Sequence, residues 1–552
     1  MIRLFERHNV RQYKELDGMW NFVSEKYPSK CYTLPVPSAW EQHPDFLTYR
    51  GKGIYTRKVL VKKDTNIRLV FKGVSHTADV TFDGEKIAHH YNAFTPFSAV
   101  VKNVKAGEHT ISVDVDNTFS EASALHIPND YYTYGGITRP VAMEYVPDVY
   151  VENIHFTPIL RDGKWYGKTE IRLTNLAQGA DCVTVKASLA NQCVEFSNAV
   201  IESGTNTLTD EREYEGVATW SCEDPKLYSL SVCVEKDGEI IDDLIDRVGF
   251  RRIEIVGKNI VLNGERFFIK GYNRHEDYAT VGCAIPLQLM IKDIELMIES
   301  GANSVRTCHY PNDEVFLDLC DEKGLVVWEE NHARGLYLPD MQNPNFERQC
   351  KDCIDEMIEN HYNHPSIIIW GILNECASET EEGREMYKKQ YEQIRSLDTS
   401  RPLTSASCRY YKDICLDLPD IVSFNIYSGW YDSNKVDTEF EKQYAWIQTT
   451  GGAGKPMIIS EFGGAAIYGF REPTRVKWSE ERQADIIDES LEYYMNTPGV
   501  CGVYIWQFAD CRVTDEGWWY QQRARTRNNK GIVDEYRRPK LAFEAVKKHF
   551  KK

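Results

Sequence analysis

The sequence predicts a multidomain β plus α/β protein: an N-terminal jelly-roll β-sandwich, an immunoglobulin-like β-sandwich and a C-terminal (β/α)8 TIM barrel. Three observations predict it. Early runs such as YTRKVLV, NIRLVFKGV, ADVTFDG and HTISVDVDN alternate apolar and polar residues between turn signals, as strands with one buried face must. The same pattern resumes with new runs, VYVENIHFTPIL, KTEIRLTNL, VTVKASLA and YSLSVCVEK, without repeating the first set. Beyond residue 256 or so, strands alternate with amphipathic helices. At 552 residues the chain is too long for one core. The expected domains are 1–147, 148–255 and 256–552.

In the last domain the strand candidates are FFIKGYN (267–273), NSVRTCHY (303–310), LVVWEEN (325–331) and SIIIWGILNE (366–375). PLTSAS (402–407), IVSFNIY (421–427), PMIISEFG (456–463) and GVYIWQFAD (502–510) follow. Helical stretches such as PLQLMIKDIELMIESG and SEERQADIIDESLEYYMN separate most of them. Eight alternations over roughly 290 residues match the count and length of a (β/α)8 barrel. An open doubly wound sheet would also alternate, but no G-x-G-x-x-G or phosphate-binding loop follows a strand.

A formal charge of −18 argues against nucleic acid or an anionic membrane as partner. No run approaches the ~18 apolar residues of a membrane span. The opening residues, MIRLFERHNVRQYKELDGMW, are too charged for a signal peptide. Fifteen scattered cysteines suit reduced thiols, so a cytoplasmic location is the expectation. Cys350 and Cys353 form a C-x-x-C in a charged helical segment with no second pair, and His361 and His364 complete no metal set. They are taken as structural.

Barrel active sites lie where the strands end. Those ends read Asn273, Arg274, His275 and Glu276; Arg306 and His309; Glu329 and Glu330; Asn374 and Glu375; Asn425 and Tyr427; Glu461; then Trp506, Gln507 and Asp510. Only PLTSAS ends in small hydroxyls alone. Solvent-facing strand ends are often polar, but Glu375 and Glu461 both follow long apolar runs, on the fourth and seventh strands. An unpaired acid there would be costly to bury. Two carboxylates converging in a cleft suit glycoside hydrolysis, one as proton donor and one as nucleophile or base. A metal pair is the alternative, without histidines arranged around it.

YGGITRPV (134–141), NRHED (273–277), GANSVRTCHYP (301–311), NHPSIIIWGILNE (363–375), SEFG (460–463) and WQFAD (506–510) together resemble glycoside hydrolase family 2, and within it the β-glucuronidases, over essentially the whole chain. The resemblance implies Glu375 as general acid/base and Glu461 as nucleophile of a retaining mechanism. It implies that Asn374 bonds the sugar 2-hydroxyl, that Arg306 and Tyr427 steady the nucleophile, and that Trp506 floors the sugar. His309, Asn425 and Tyr431 complete the implied sugar contacts. On these roles Glu375 should have a raised pKa and Glu461 should stay ionised beside a cation. No cofactor or metal is implied, and a homo-oligomer, often a tetramer, is.

The segment Asn528-Asn529-Lys530-Gly531 matches the N-x-K-G with which β-glucuronidases bind a uronic-acid carboxylate. A lysine ammonium and a directional amide suit an anion. Asp130 matches a family acid that reaches the sugar hydroxyls from the first sandwich, its plainer reading being a turn acid. Arg334 stands where familiar glucuronidases lack a cation, which opens the C4 configuration. The expected function is therefore hydrolysis of terminal β-D-hexuronides, glucuronides first, with a β-galacturonidase or dual enzyme as alternative. A neutral β-galactosidase of the same fold and a non-catalytic carbohydrate-binding protein are the more distant readings. The connection after Glu330 is short, which suggests an open mouth and bulky or oligosaccharide aglycones.

Overall fold

The computed structural model describes residues 2–516 and 522–552. In the first sandwich a six-stranded and a four-stranded antiparallel sheet face each other. The strand Gly107–Asp116 shows why: Ile111, Val113 and Val115 point inward and are buried, while the residues between them are not. They pack with Trp20, Phe22, Tyr55 and Leu69. The second sandwich sets a three-stranded sheet on a four-stranded one. Its strand Lys164–Asn175 alternates buried and part-exposed residues from Trp165 onward, the period of two that a one-sided sheet requires.

A closed barrel of eight parallel strands follows. They are β1 (Ile269–Arg274), β2 (Ser304–Thr307), β3 (Val326–Glu330), β4 (Ile367–Asn374), β5 (Leu403–Ser407), β6 (Val422–Asn425), β7 (Met457–Phe462) and β8 (Val500–Ile505). All eight residues of β4 are buried, because a barrel strand has side chains inside and helices outside. Several strands are shorter than their sequence suggested. Cys308, His309 and Tyr310 lie in the turn after β2, and Trp506 leaves the sheet after β8. Phe267 is not in the first barrel strand. Asn263 and Gly264, both with positive φ (53° and 88°), make an Asn-Gly hairpin turn that pairs Glu265–Phe267 back onto Asn259–Leu262. With Ile253–Val256 this small sheet caps the barrel floor, where Ile253, Ile260 and Leu262 join Trp220 against Ile269, Val326, Trp328 and Ile368.

Cys350 and Cys353 are buried on the helix Phe346–His361, and all fifteen cysteines are unpaired. His361 bonds Glu329 at 2.9 Å and His364 bonds Asp321 at 2.5 Å, inside the barrel wall. No described helix is long and apolar enough to cross a membrane.

Buried charge locks the sandwiches to the barrel. Arg3 grips Asp318 through two bonds of 2.9 and 2.7 Å, carrying the N-terminal segment onto a barrel helix. Arg139, from the YGGITRPV turn, donates to Glu276 at 2.7 Å and to the Pro311 carbonyl at 2.9 Å, just beyond β1 and β2. Tyr134 donates to Asp277 at 3.1 Å beside it. These contacts lay the segment before Arg139 over the barrel mouth and bring Asp130 there. Arg139→Ala should leave Glu276 buried without its cation and cost about 3–5 kcal/mol. Calorimetry should show the barrel transition at a lower temperature, with kcat/KM reduced as Asp130 loses its support.

Candidate active site

The apolar run of β4 delivers Asn374 and then Glu375, where the backbone turns into the left-handed region at φ 54°. A non-glycine residue held there is strained, and such strain persists only where surroundings enforce it. Here they do. The Glu375 N–H donates to the Ala406 carbonyl at 2.8 Å. Arg409 holds the next two carbonyls, Glu375 at 3.2 Å and Cys376 at 3.1 Å. The Glu375 carboxylate accepts from Asn425 Nδ2 at 2.9 Å, and Ser460 orients that amide by donating to its oxygen at 2.8 Å. Glu461, at the end of β7, is 3% exposed. Tyr427 donates to one of its oxygens at 2.7 Å and Arg306 to the other at 3.1 Å.

Arg306 is wholly buried and uses its entire fork. Besides Glu461 it donates twice to Glu330 (2.8 and 3.0 Å), to Asn273 (3.0 Å) and to Asn374 Oδ1 (2.9 Å), above the Trp328 ring at 4.5 Å. That last bond turns the Asn374 amide so that Nδ2 faces no acceptor among the described residues. It is a buried donor free for a ligand. His309 sends Nδ1 to Glu330 at 2.7 Å and stacks on Trp506 at 5.1 Å, with Nε2 unpaired. Burial first, then Arg306 and His275, hold its pKa well below the usual histidine range. It is a neutral ring.

The electrostatics differ from the expectation for the nucleophile candidate. Arg306 is beside Glu461 as foreseen, yet burial first and the Glu375 carboxylate second push Glu461 up to about 7 against Arg306, Tyr427 and Arg334. Glu461 is the deeper of the two acids, so desolvation falls on it. Burial alone would raise Asp130 as well, but Arg523, Lys530 and Arg334 outweigh it and hold that carboxyl below its ordinary value.

The acids open into a cavity of about 380 Å³ that Asp130, Arg334, Tyr431, Trp506, Arg523 and Lys530 also line. A larger void of about 440 Å³, lined by Glu6, Glu15 and Glu144 among others, lies along the N-terminal segment and includes none of the barrel-strand ends. Size alone does not select the site. Lys530 Nζ donates to the Tyr431 hydroxyl at 2.8 Å at the cavity wall. Asn528, paired with Lys530 in the sequence reading, is buried behind it and donates to Asp130 at 3.0 Å. Arg334 donates to Asn129 at 2.7 Å and lies 3.7 Å from Glu375. Arg306, His309, Asn374 and Asn528 thus stand behind the lining, while the other expected residues face it.

Sequence reasoning passed over Arg523, which clamps Asp130 with two bonds of 2.9 and 2.5 Å. It sits in the same basic run as Lys530, the only signal that marked it. Asn129 and Arg409 were missed too, being polar loop residues with no pattern of their own.

Two described clusters could hold a metal. His275, Cys308 and His309 lie beneath Trp506, and the Nε2 atoms of both histidines are unpaired. Asp318, Asp321 and His364 are already engaged by Arg3, His364 and the Ser366 N–H.

Two outcomes follow. Arg306→Lys keeps the charge but not the fork, so kcat should fall by about a hundredfold or more. For Glu461, the folded-state pKa lies above the ordinary carboxyl value, so ionising it costs stability. That cost is absent below about pH 4.5 and complete above about pH 7. Glu461→Gln should therefore raise the Tm at pH 8 and change it little at pH 4; a difference independent of pH would contradict the raised pKa.

Comparison with known proteins agrees with this geometry. Residues 253–552 match the TIM barrel domain of glycosyl hydrolases family 2, residues 149–251 the family 2 domain itself, and residues 13–147 its sugar binding domain. A β-galacturonidase of Eisenbergiella tayi, solved with galacturonate bound, is 49% identical, with a TM-score of 0.96 over 100% of this chain and 99% of that one. A β-glucuronidase of an uncultured Clostridium is 28% identical, with a TM-score of 0.86 over 100% and 99%. A putative β-glucuronidase of Formosa agariphila is 28% identical over 91% of this chain, which spans 64% of that protein's length. With an acid pair at the ends of β4 and β7 and all three family domains in order, the chain belongs to glycosyl hydrolases family 2 and is a glycoside hydrolase.

Proposed function

We propose that the chain is an exo-acting, retaining β-hexuronidase. The observation that carries this reading is Lys530, an ammonium set with Tyr431 on the wall of the cavity that holds Glu375 and Glu461. A neutral sugar offers that lysine only hydroxyl acceptors, whereas a uronic-acid carboxylate forms a charge-assisted pair with it. Arg523 adds a second cation at the same wall.

In the first step Glu375 gives its proton to the glycosidic oxygen while Glu461 attacks C1. The C1–O bond breaks, the aglycone leaves as an alcohol, and a glycosyl ester forms on Glu461. Glu461, raised to about 7 by burial and by the Glu375 charge, must be ionised to attack, and Arg306 and Tyr427 favour that form. Tyr427 and Arg306 hold Glu461 by both oxygens as it loses its charge. Esterification removes that charge, so Glu375, having given up its proton, is left as a carboxylate free of its like-charged neighbour and takes a proton from the incoming water as general base. The water oxygen bonds C1 and frees Glu461. Asn374 Nδ2, buried behind the lining with no acceptor among the described residues, would bond the 2-hydroxyl once a sugar enters, and such bonds strengthen in the transition state.

Between the epimers we place β-galacturonides first. Arg334 supports this, as a guanidinium beside Glu375 and Asn129 at the sugar site. So does the 49% identity to an enzyme solved with galacturonate. Matched p-nitrophenyl β-galacturonide, glucuronide and galactoside decide the matter: the order of kcat/KM should be as written, with the galactoside at least about a hundredfold behind. Lys530→Ala should lower the uronide values by a similar factor and leave the galactoside value nearly unmoved. NMR of the first-formed sugar should show the β-anomer; the α-anomer would refute retention.

A further inference from the structure

The acid donor protonates the leaving oxygen, so the aglycone must lie on the Glu375 side of the cavity, away from Lys530. That side has its own construction. Tyr337 is 62% exposed at the cavity edge, so much of its ring is open to a ligand. The Arg409 guanidinium braces it from 5.2 Å. Arg409 is itself fixed by the Glu375 and Cys376 carbonyls and by Glu379 at 3.1 Å, while its Nη1 has no hydrogen-bond partner among the described residues. Asp432 lines the same cavity next to Tyr431, the partner of Lys530, and accepts two N–H groups on Oδ1 alone.

The charges select among aglycones. Glu379 offsets Arg409, Glu375 offsets Arg334 and Asp432 adds a negative charge, so this half has no excess cation for a second acid, unlike the half with Lys530 and Arg523. A flat aromatic would use the ring and leave the Arg409 and Asp432 atoms idle. A neutral sugar uses all three: an apolar ring face for stacking, and hydroxyls that both accept and donate. We propose that Tyr337, Arg409 and Asp432 form an acceptor subsite for a neutral sugar residue, and that the substrate is a glycan ending in a β-hexuronide. The proposal rests on the β-hexuronidase reading above.

The test compares three glycosides of the preferred hexuronic acid: methyl, p-nitrophenyl and a disaccharide with a neutral hexose. The wild type should favour the disaccharide over the methyl glycoside by about tenfold in kcat/KM. Tyr337→Ala should lower that ratio by about fivefold, mostly through KM, and Tyr337→Phe should keep it. Ratios within one variant are insensitive to the fraction folded. If the wild type hydrolyses none of the three uronides, the hexuronidase reading itself fails. If it hydrolyses them, but Tyr337→Ala leaves the ratio unchanged, the subsite alone is refuted. A loss on p-nitrophenyl glycoside equal to that on the disaccharide also overturns the sugar assignment, in favour of an aromatic aglycone.

Discussion

A guanidinium sealed from water must be fully paired, and in this protein that requirement organises the catalytic end of the barrel. Arg306 reaches Glu330 on β3, Asn273 on β1, Asn374 on β4 and Glu461 on β7. Its planar fork sets the directions of those partners, which a lysine could not do. The oxygen of Asn374 is consumed by this network and its amide donor is left over. One buried cation thereby orients both the Glu461 carboxylate and the Asn374 amide.

The first sandwich contributes to the same site through a different balance. The chain carries a formal charge of −18, yet Arg334, Arg523 and Lys530 converge on one cavity. Their mutual repulsion is offset by Asp130, Glu375 and Glu461. Asp130 comes from the sandwich loop that Arg139 fastens to the barrel, so the domain interface and the charge balance of the cavity are one construction. Local geometry outweighs the global field here because the groups are buried and close.

The site also trades stability for chemistry. Glu461 is placed where ionisation is opposed by burial and by a second carboxylate, and Glu375 is held at a left-handed backbone angle. Neither arrangement favours folding. Both persist because β4 and β7 are buried along their whole length and tolerate a strained end.

By itself the sequence determined the domain types, the eight barrel strands and the acids at the ends of the fourth and seventh. These are local matters: side-chain period, turn residues and the point where an apolar run meets a charge. Motif resemblance extended that reading to Asn374, Arg306, Tyr427 and Lys530. What only the tertiary structure decided are pairings between distant residues. Arg523 meets Asp130 across 393 positions and Arg334 meets Asn129 across 205. Asn528 turns away from the cavity to join the first pair, and burial raises the proton affinity of Glu461 despite the cation beside it. No spacing in the chain announces such contacts. They depend on how one domain is laid across another, and on how much water each carboxylate loses when it is.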